Sequence, residues 1–186
     1  MKAGIITFYW SNNIGALIQS ITLKEFLNKN FQSINFQFET YLPKNLILRE
    51  KKSQLKTLNP VKFIKAVNKN FFLENWKKNE AKLPRVSQKK NYFDKNIYVY
   101  GSDEIWNYQN PFFKLDDYFF GNNNDKKKIA YAVSVGNLKF TENEIPTIVK
   151  KSIKYFKKII VRDENTFHFV NLITKKKPFI ACDPSL

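Results

Sequence analysis

Cysteine, histidine, methionine and arginine are nearly absent: 186 residues hold one Cys, one His, one Met and three Arg. The lone Cys182 excludes an intrachain disulfide and any multi-cysteine metal site, and a single histidine, His168, does not make a zinc centre. No metal is therefore expected. No apolar run approaches the roughly 18 residues of a spanning helix, and no small-residue cleavage site follows the apolar N-terminal stretch. A cytoplasmic location is expected. The net charge of +16 arises from 32 basic against 16 acidic residues, yet only Arg49, Arg85 and Arg162 are arginine. Base readout and bidentate phosphate contacts favour arginine, so a lysine surplus without arginine clusters points away from nucleic acid. The lysine runs at 126–128 and 175–177 read as solvated loop charges.

Apolar material is plentiful. Hydrophobic residues make up 43%, with 18 Phe, 9 Tyr and 3 Trp, enough for one well-buried domain over 1–186 and too little chain for two of ordinary size. Short apolar runs at 2–8, 97–100 and 128–136 read as buried strands, that at 97–100 buried on both faces, and those at 159–161 and 179–182 as further strands. Ile34, Phe36 and Phe38 alternate with polar residues, which predicts a strand at or near a sheet edge. Ile14, Leu17, Ile18 and Ile21 recur at helical spacing, as do Val61, Ile64, Val67 and Phe71 within a lysine-rich helical insertion at about 41–95. That insertion opens on Asn59 as a cap and Pro60 in the first turn. Its basic, amphipathic character suits a solvated face, or a peripheral contact with the cytoplasmic face of the inner membrane. Thr141 and Glu144 have capping-box spacing before Ile145, Ile148, Val149, Ser152, Ile153 and Phe156, and Asp163 can cap a helix running to Ile173. Together these form a Rossmann-like, doubly wound, mostly parallel sheet of about six strands with helices on both faces.

In such sheets ligands gather where strands end. After the run at 97–100 come Gly101, where the backbone can turn, then Ser102 and Asp103 as caps for a short helix carrying Glu104, Ile105 and Trp106. Ser134 and Gly136 end the neighbouring run and should lie near the Gly101 turn, and Arg162 ends the next. Arg162 can face the crevice or pair with Asp163 or Glu164. The aromatic segment 111–121 should pack over the active face. At the first strand's end Asn13 and Gly15 open a helix whose free N–H groups can hold an anion or a sugar hydroxyl. One glycine there makes neither a dinucleotide nor a P-loop fingerprint. His168 falls inside a predicted helix among Phe167, Phe169 and Val170, where packing or surface exposure is the ordinary role.

Five ordered blocks resemble the N-terminal half of the polysaccharide pyruvyl transferase family: GIITF at 4–8 with NIGALIQ at 13–19, GSDEIWN at 101–107, IAYAVSVG at 129–136, VRDE at 161–164 and DPSL at 183–186. The corresponding family patterns are NYGAxLQ, GSDQxWN, IAYAASFG, S-x-R-E/D-E and DPTL. Glu104 stands where the family usually has Gln. The resemblance implies a bacterial enzyme of exopolysaccharide, capsule or lipooligosaccharide biosynthesis. It would transfer a pyruvyl group as a ketal from phosphoenolpyruvate to sugar hydroxyls of a glycan or glycolipid, with phosphoenolpyruvate as donor substrate and no other cofactor. It further implies a GT-B-like arrangement of two domains, of which this chain reads as the first, a truncated half. On that basis Asp103 is the expected catalytic residue, as a base or in contact with acceptor hydroxyls, and Arg162 is expected to hold the anion. Asn13, Gly15, Gln19, Gly101, Ser102, Trp106, Asn107 and Ser134 are the expected substrate contacts. A glycosyltransferase domain using a nucleotide sugar, or a basic non-catalytic binding module, would be the alternative reading.

Overall fold

A computed structural model describes residues 1–42, 46, 60–87, 94–111, 115–121 and 126–185. Among them, six strands form one sheet in the order β2-β1-β3-β4-β5-β6, every neighbouring pair parallel. They are β1 (Lys2–Ile6), β2 (Asn35–Phe38), β3 (Ile97–Tyr100), β4 (Lys127–Val133), β5 (Lys158–Val161) and β6 (Phe179–Ile180). The helices are α1 (Ile14–Asn30), α2 (Pro60–Asn79), α3 (Thr147–Lys154) and α4 (Glu164–Thr174), with a 3-10 turn at Asp117–Phe120. This is the expected Rossmann-like α/β class. No described helix is long and apolar enough to cross a membrane.

Strand composition explains the order. β3 has no polar alternation and lies in the middle with Tyr98, Val99 and Tyr100 buried, whereas β2 alternates exposed and buried and lies at one edge. α1 covers one sheet face, its Leu23 and Leu27 packing with Ala3, Ile5, Phe36, Phe38 and Val99. On the other face, Val149 and Ile153 of α3 and Phe169 and Val170 of α4 pack with Ile6, Tyr98, Tyr100 and Ala130. The chain thus winds one way from β1 to β2 and the other way from β3 onward, so α1 and α3 fall on opposite faces. The turning point lies between β1 and β3.

Four local expectations are corrected. Residues 102–106 form a turn, not a short helix: Ser134 N donates to Asp103 O at 3.0 Å and Trp106 N to Ser134 O at 3.2 Å, so backbone groups that would start a helix extend the β4 edge. Glu144 does reach back to Thr141 N at 2.9 Å, but Pro146 has the N-cap position and the helix begins only at Thr147. Lys128 is no solvated loop charge: it is buried in β4 and its Nζ donates to Gly121 O at 2.7 Å. The aromatic 3-10 turn does not cover the active face, because Tyr118, Phe119 and Phe120 are buried in the core beside Trp106 and Phe8. Asn59 and most of 43–59 lie outside the described residues.

Candidate functional site

Because all six strands are parallel, their C-terminal ends open on one edge of the sheet. Four side chains from four separate chain segments lie along it. Arg162, just past β5, donates from Nη1 to Asp183 Oδ2 at 3.2 Å, and Gln19, on the second turn of α1, donates from Nε2 to the same oxygen. Asp183 follows β6, whose register is set by Ala181 N donating to Val161 O at 2.9 Å. Arg162 therefore takes neither Asp163 nor Glu164 as its partner. Asp163 instead caps α4, its Oδ1 accepting from Thr166 N at 2.8 Å and from Thr166 Oγ1 at 2.7 Å.

Asp103 completes the cluster from β3. Burial pushes its carboxyl above the usual range; a hydrogen bond from Glu104 N and the Arg162 charge pull the other way, and the Glu104 and Asp183 charges add to the rise. Its Oδ1 accepts from Glu104 N at 2.7 Å. The backbone is bent to place it there, with φ of +95° at Asp103 and +123° at Gly101, and positive φ at a non-glycine residue is a strained geometry that functional sites often hold. Gly101 permits a close approach no side chain could make: a Cβ there would meet Tyr131 O at 2.0 Å. On the β4 side Ala132 has φ of +50° and the pairing with β5 shifts register, so the end of β4 curls toward residues 103–106.

The remaining expected residues fall into two groups. Asn13 and Gly15 stand at the crevice mouth, where Asn13 Oδ1 caps α1 by accepting from Gly15 N at 2.9 Å. Asn107 lies beside Glu104, its Nδ2 3.5 Å from Oε2. Ser102, Ser134 and Trp106 are fully buried. Ser134 Oγ accepts from Gly136 N at 2.7 Å, and the Trp106 indole donates to Phe119 O at 3.1 Å while its ring packs on Phe120 and Phe156. These three support the floor of the crevice. Trp106 is placed under the site, not against a ligand. His168 is exposed on α4 and away from the cluster's hydrogen bonds.

Several members of the site went unnamed in the sequence reading. Asp183 is the pivot for both Gln19 and Arg162, and its signal was the DPSL block at the chain's end. Thr7 donates to Ser102 O at 3.1 Å and lies 3.3 Å from Ser20 Oγ, tying β1, α1 and β3 together beneath the cluster. Asn165 donates to Gly136 O and Leu138 O, and Thr166 Oγ1 accepts from Val135 N, which pins the segment after β4 onto α4. Two buried oxygens, Gln19 Oε1 and Ser102 Oγ, have no partner among the described residues, and such groups call for a water or ligand. Beside the crevice, a cavity of about 690 Å³ opens between the β1–α1 loop and α2, lined in part by Trp10, Asn12, Asn70, Asn75, Lys78 and Arg85.

A family model described as polysaccharide pyruvyl transferase matches residues 13–186, which include Gln19, Asp103, Arg162 and Asp183. Comparison with curated proteins and with solved structures finds no match.

Proposed function

Since the chain belongs to the polysaccharide pyruvyl transferase family, we propose that it moves a pyruvyl group from phosphoenolpyruvate onto two hydroxyls of one sugar, in assembly of a cell-surface polysaccharide or lipooligosaccharide. The observation that carries the residue roles is Asp103, a desolvated carboxyl beside the Arg162 charge where the sheet turns. In the reaction a first sugar hydroxyl adds to C2 of the enol while C3 takes up a proton. A second hydroxyl then displaces phosphate from C2 and closes the ketal. One hydroxyl proton is balanced by the new methyl group and the other leaves with phosphate.

Each step has a candidate in the cluster. Asp103 takes a hydroxyl proton, and its raised pKa brings it nearer the operating pH that suits a general base. Arg162 holds donor phosphate or carboxylate, with Asp183 orienting its guanidinium. Gln19 meets the acceptor hydroxyls, and the Trp10 and asparagine lining of the adjacent cavity suits further sugar units. Phosphate release from phosphoenolpyruvate by the intact gene product, assayed with glycan acceptors, tests the reading. Release that Asp103→Asn abolishes while phosphoenolpyruvate still binds is the expected result. No release with any acceptor, together with calorimetric binding of a nucleoside diphosphate in place of phosphoenolpyruvate, overturns it in favour of glycosyl transfer.

A further inference from the structure

The apolar stripe of α2 faces away from the protein. The helix is held from one side, where Leu73 and Lys77 are buried. Lys77 Nζ donates to Trp10 O at 2.7 Å and Asn12 Oδ1 at 2.6 Å, and Asn12 Nδ2 donates to Asn70 Oδ1 at 3.2 Å. Residues 70, 73 and 77 share one face at helical spacing, and roughly 100° per residue puts Ile64, Phe71 and Phe72 on the opposite side, with Val67 on the flank between. Ile64, Val67, Phe71 and Phe72 are 58%, 47%, 71% and 67% exposed. Single exposed apolar residues are ordinary, but four on one helix, two of them adjacent phenylalanines, interspersed with Asn68 and Asn75, mark an interaction surface.

Charge selects the occupant. Lys65 and Lys69 are exposed along one border of the stripe, while the helix's one acid, Glu74, pairs with Lys77 at 2.9 Å. A second copy of the chain would bring another +16 body and another lysine row against the first. We propose that the outer face of α2 is a docking surface for an anionic phospholipid bilayer. Phe71, Phe72, Ile64 and Val67 enter the headgroup boundary, and Lys65 and Lys69 meet the lipid phosphates. Lying in an interface plane needs only this pattern of outward apolar residues bordered by lysines. Its anchor on Trp10 and Asn12 leads directly into Asn13 and α1, so docking sets the β1–α1 loop about one helix diameter from the lipid. This inference is independent of the pyruvyl-transfer reading.

Co-sedimentation with vesicles of phosphatidylglycerol and phosphatidylcholine, against phosphatidylcholine alone, tests it. Binding is expected on the anionic vesicles only. Phe71→Ser with Phe72→Ser is expected to weaken it by about tenfold or more. Lys65→Gln with Lys69→Gln is expected to weaken it about 25-fold, from roughly fivefold per lysine. All four positions are exposed, so unchanged thermal melting of both variants certifies that the fold is intact. Absence of binding to anionic vesicles overturns the proposal. So does full binding by the double phenylalanine variant, which would leave only diffuse charge, or a self-association in ultracentrifugation that this variant abolishes, which would assign the face to a second copy.

Discussion

Replacing Gly101 by alanine tests how the site is built. An added Cβ would lie 2.0 Å from Tyr131 O, whereas ordinary contact begins at 3.4 Å, and that oxygen is backbone of β4 with no rotamer to change. The two strand ends must therefore part by more than an ångström. Two bonds span the gap, Ser134 N to Asp103 O at 3.0 Å and Trp106 N to Ser134 O at 3.2 Å, and both are lost. At about 1 kcal/mol each, with about 1–3 kcal/mol of strain at a φ of +123°, the loss is roughly 3–5 kcal/mol. That is a large share of the roughly 5–15 kcal/mol by which domains are stable, and a melting temperature lower by about 6–20 °C is expected. Gly15→Ala is the control, because its Cβ would meet only the Asn13 cap oxygen, at 3.3 Å, which has to give by a few tenths of an ångström, so a change within about 1 kcal/mol is expected. Urea denaturation of both variants measures the difference. A Gly101→Ala protein within 1 kcal/mol of the parent would refute the close approach of β3 and β4 on which the placement of Asp103 depends.

Burial raises the Asp103 pKa, so its contribution to stability is full below the unfolded value of about 3.9 and is lost as pH rises through the folded value. Asp103→Asn should flatten that decline in pH-dependent urea denaturation and leave the part due to Glu39, whose carboxyl burial also raises; an unchanged curve would count against a desolvated Asp103. Asp183→Asn removes a negative charge that raises Asp103, so the Asp103 carboxyl resonance should titrate at lower pH in NMR, and an upward movement would contradict the cluster. Lys77→Met leaves Trp10 O and Asn12 Oδ1 without their donor, a cost of about 2–4 kcal/mol, and should speed amide exchange across 60–79 while the β3 amides keep their protection.

The sheet was legible because most strands are short apolar runs closed by a glycine, a charge or a small polar residue, and a central strand cannot hide its lack of alternation. Asp103 and Arg162 were legible for the same reason, since position after a strand is read directly from the chain. Side-chain direction was not. Ser102, Asp103, Glu104 and Trp106 are adjacent in sequence, but whether each faces ligand or core depends on Gly101 and on the bulge at Ala132, and that choice is made by backbone bonds to β4. Asp183 was quoted within a block and given no role, because only the β5–β6 pairing brings it back to Arg162 and Gln19. Lys77 and Lys128 were indistinguishable from the other lysines of a +16 chain until backbone carbonyls were found waiting for them. Helical spacing in α2 identified a helix and an apolar stripe, and in a solitary globular domain that stripe would face the core. Here the polar anchor of Lys77 on Trp10 and Asn12 turns the helix the other way, because a buried ammonium bonded to two acceptors outside the helix resists its rolling. Periodicity states that something apolar is to cover Phe71 and Phe72, and the surrounding lysines, not the spacing, say what that covering is.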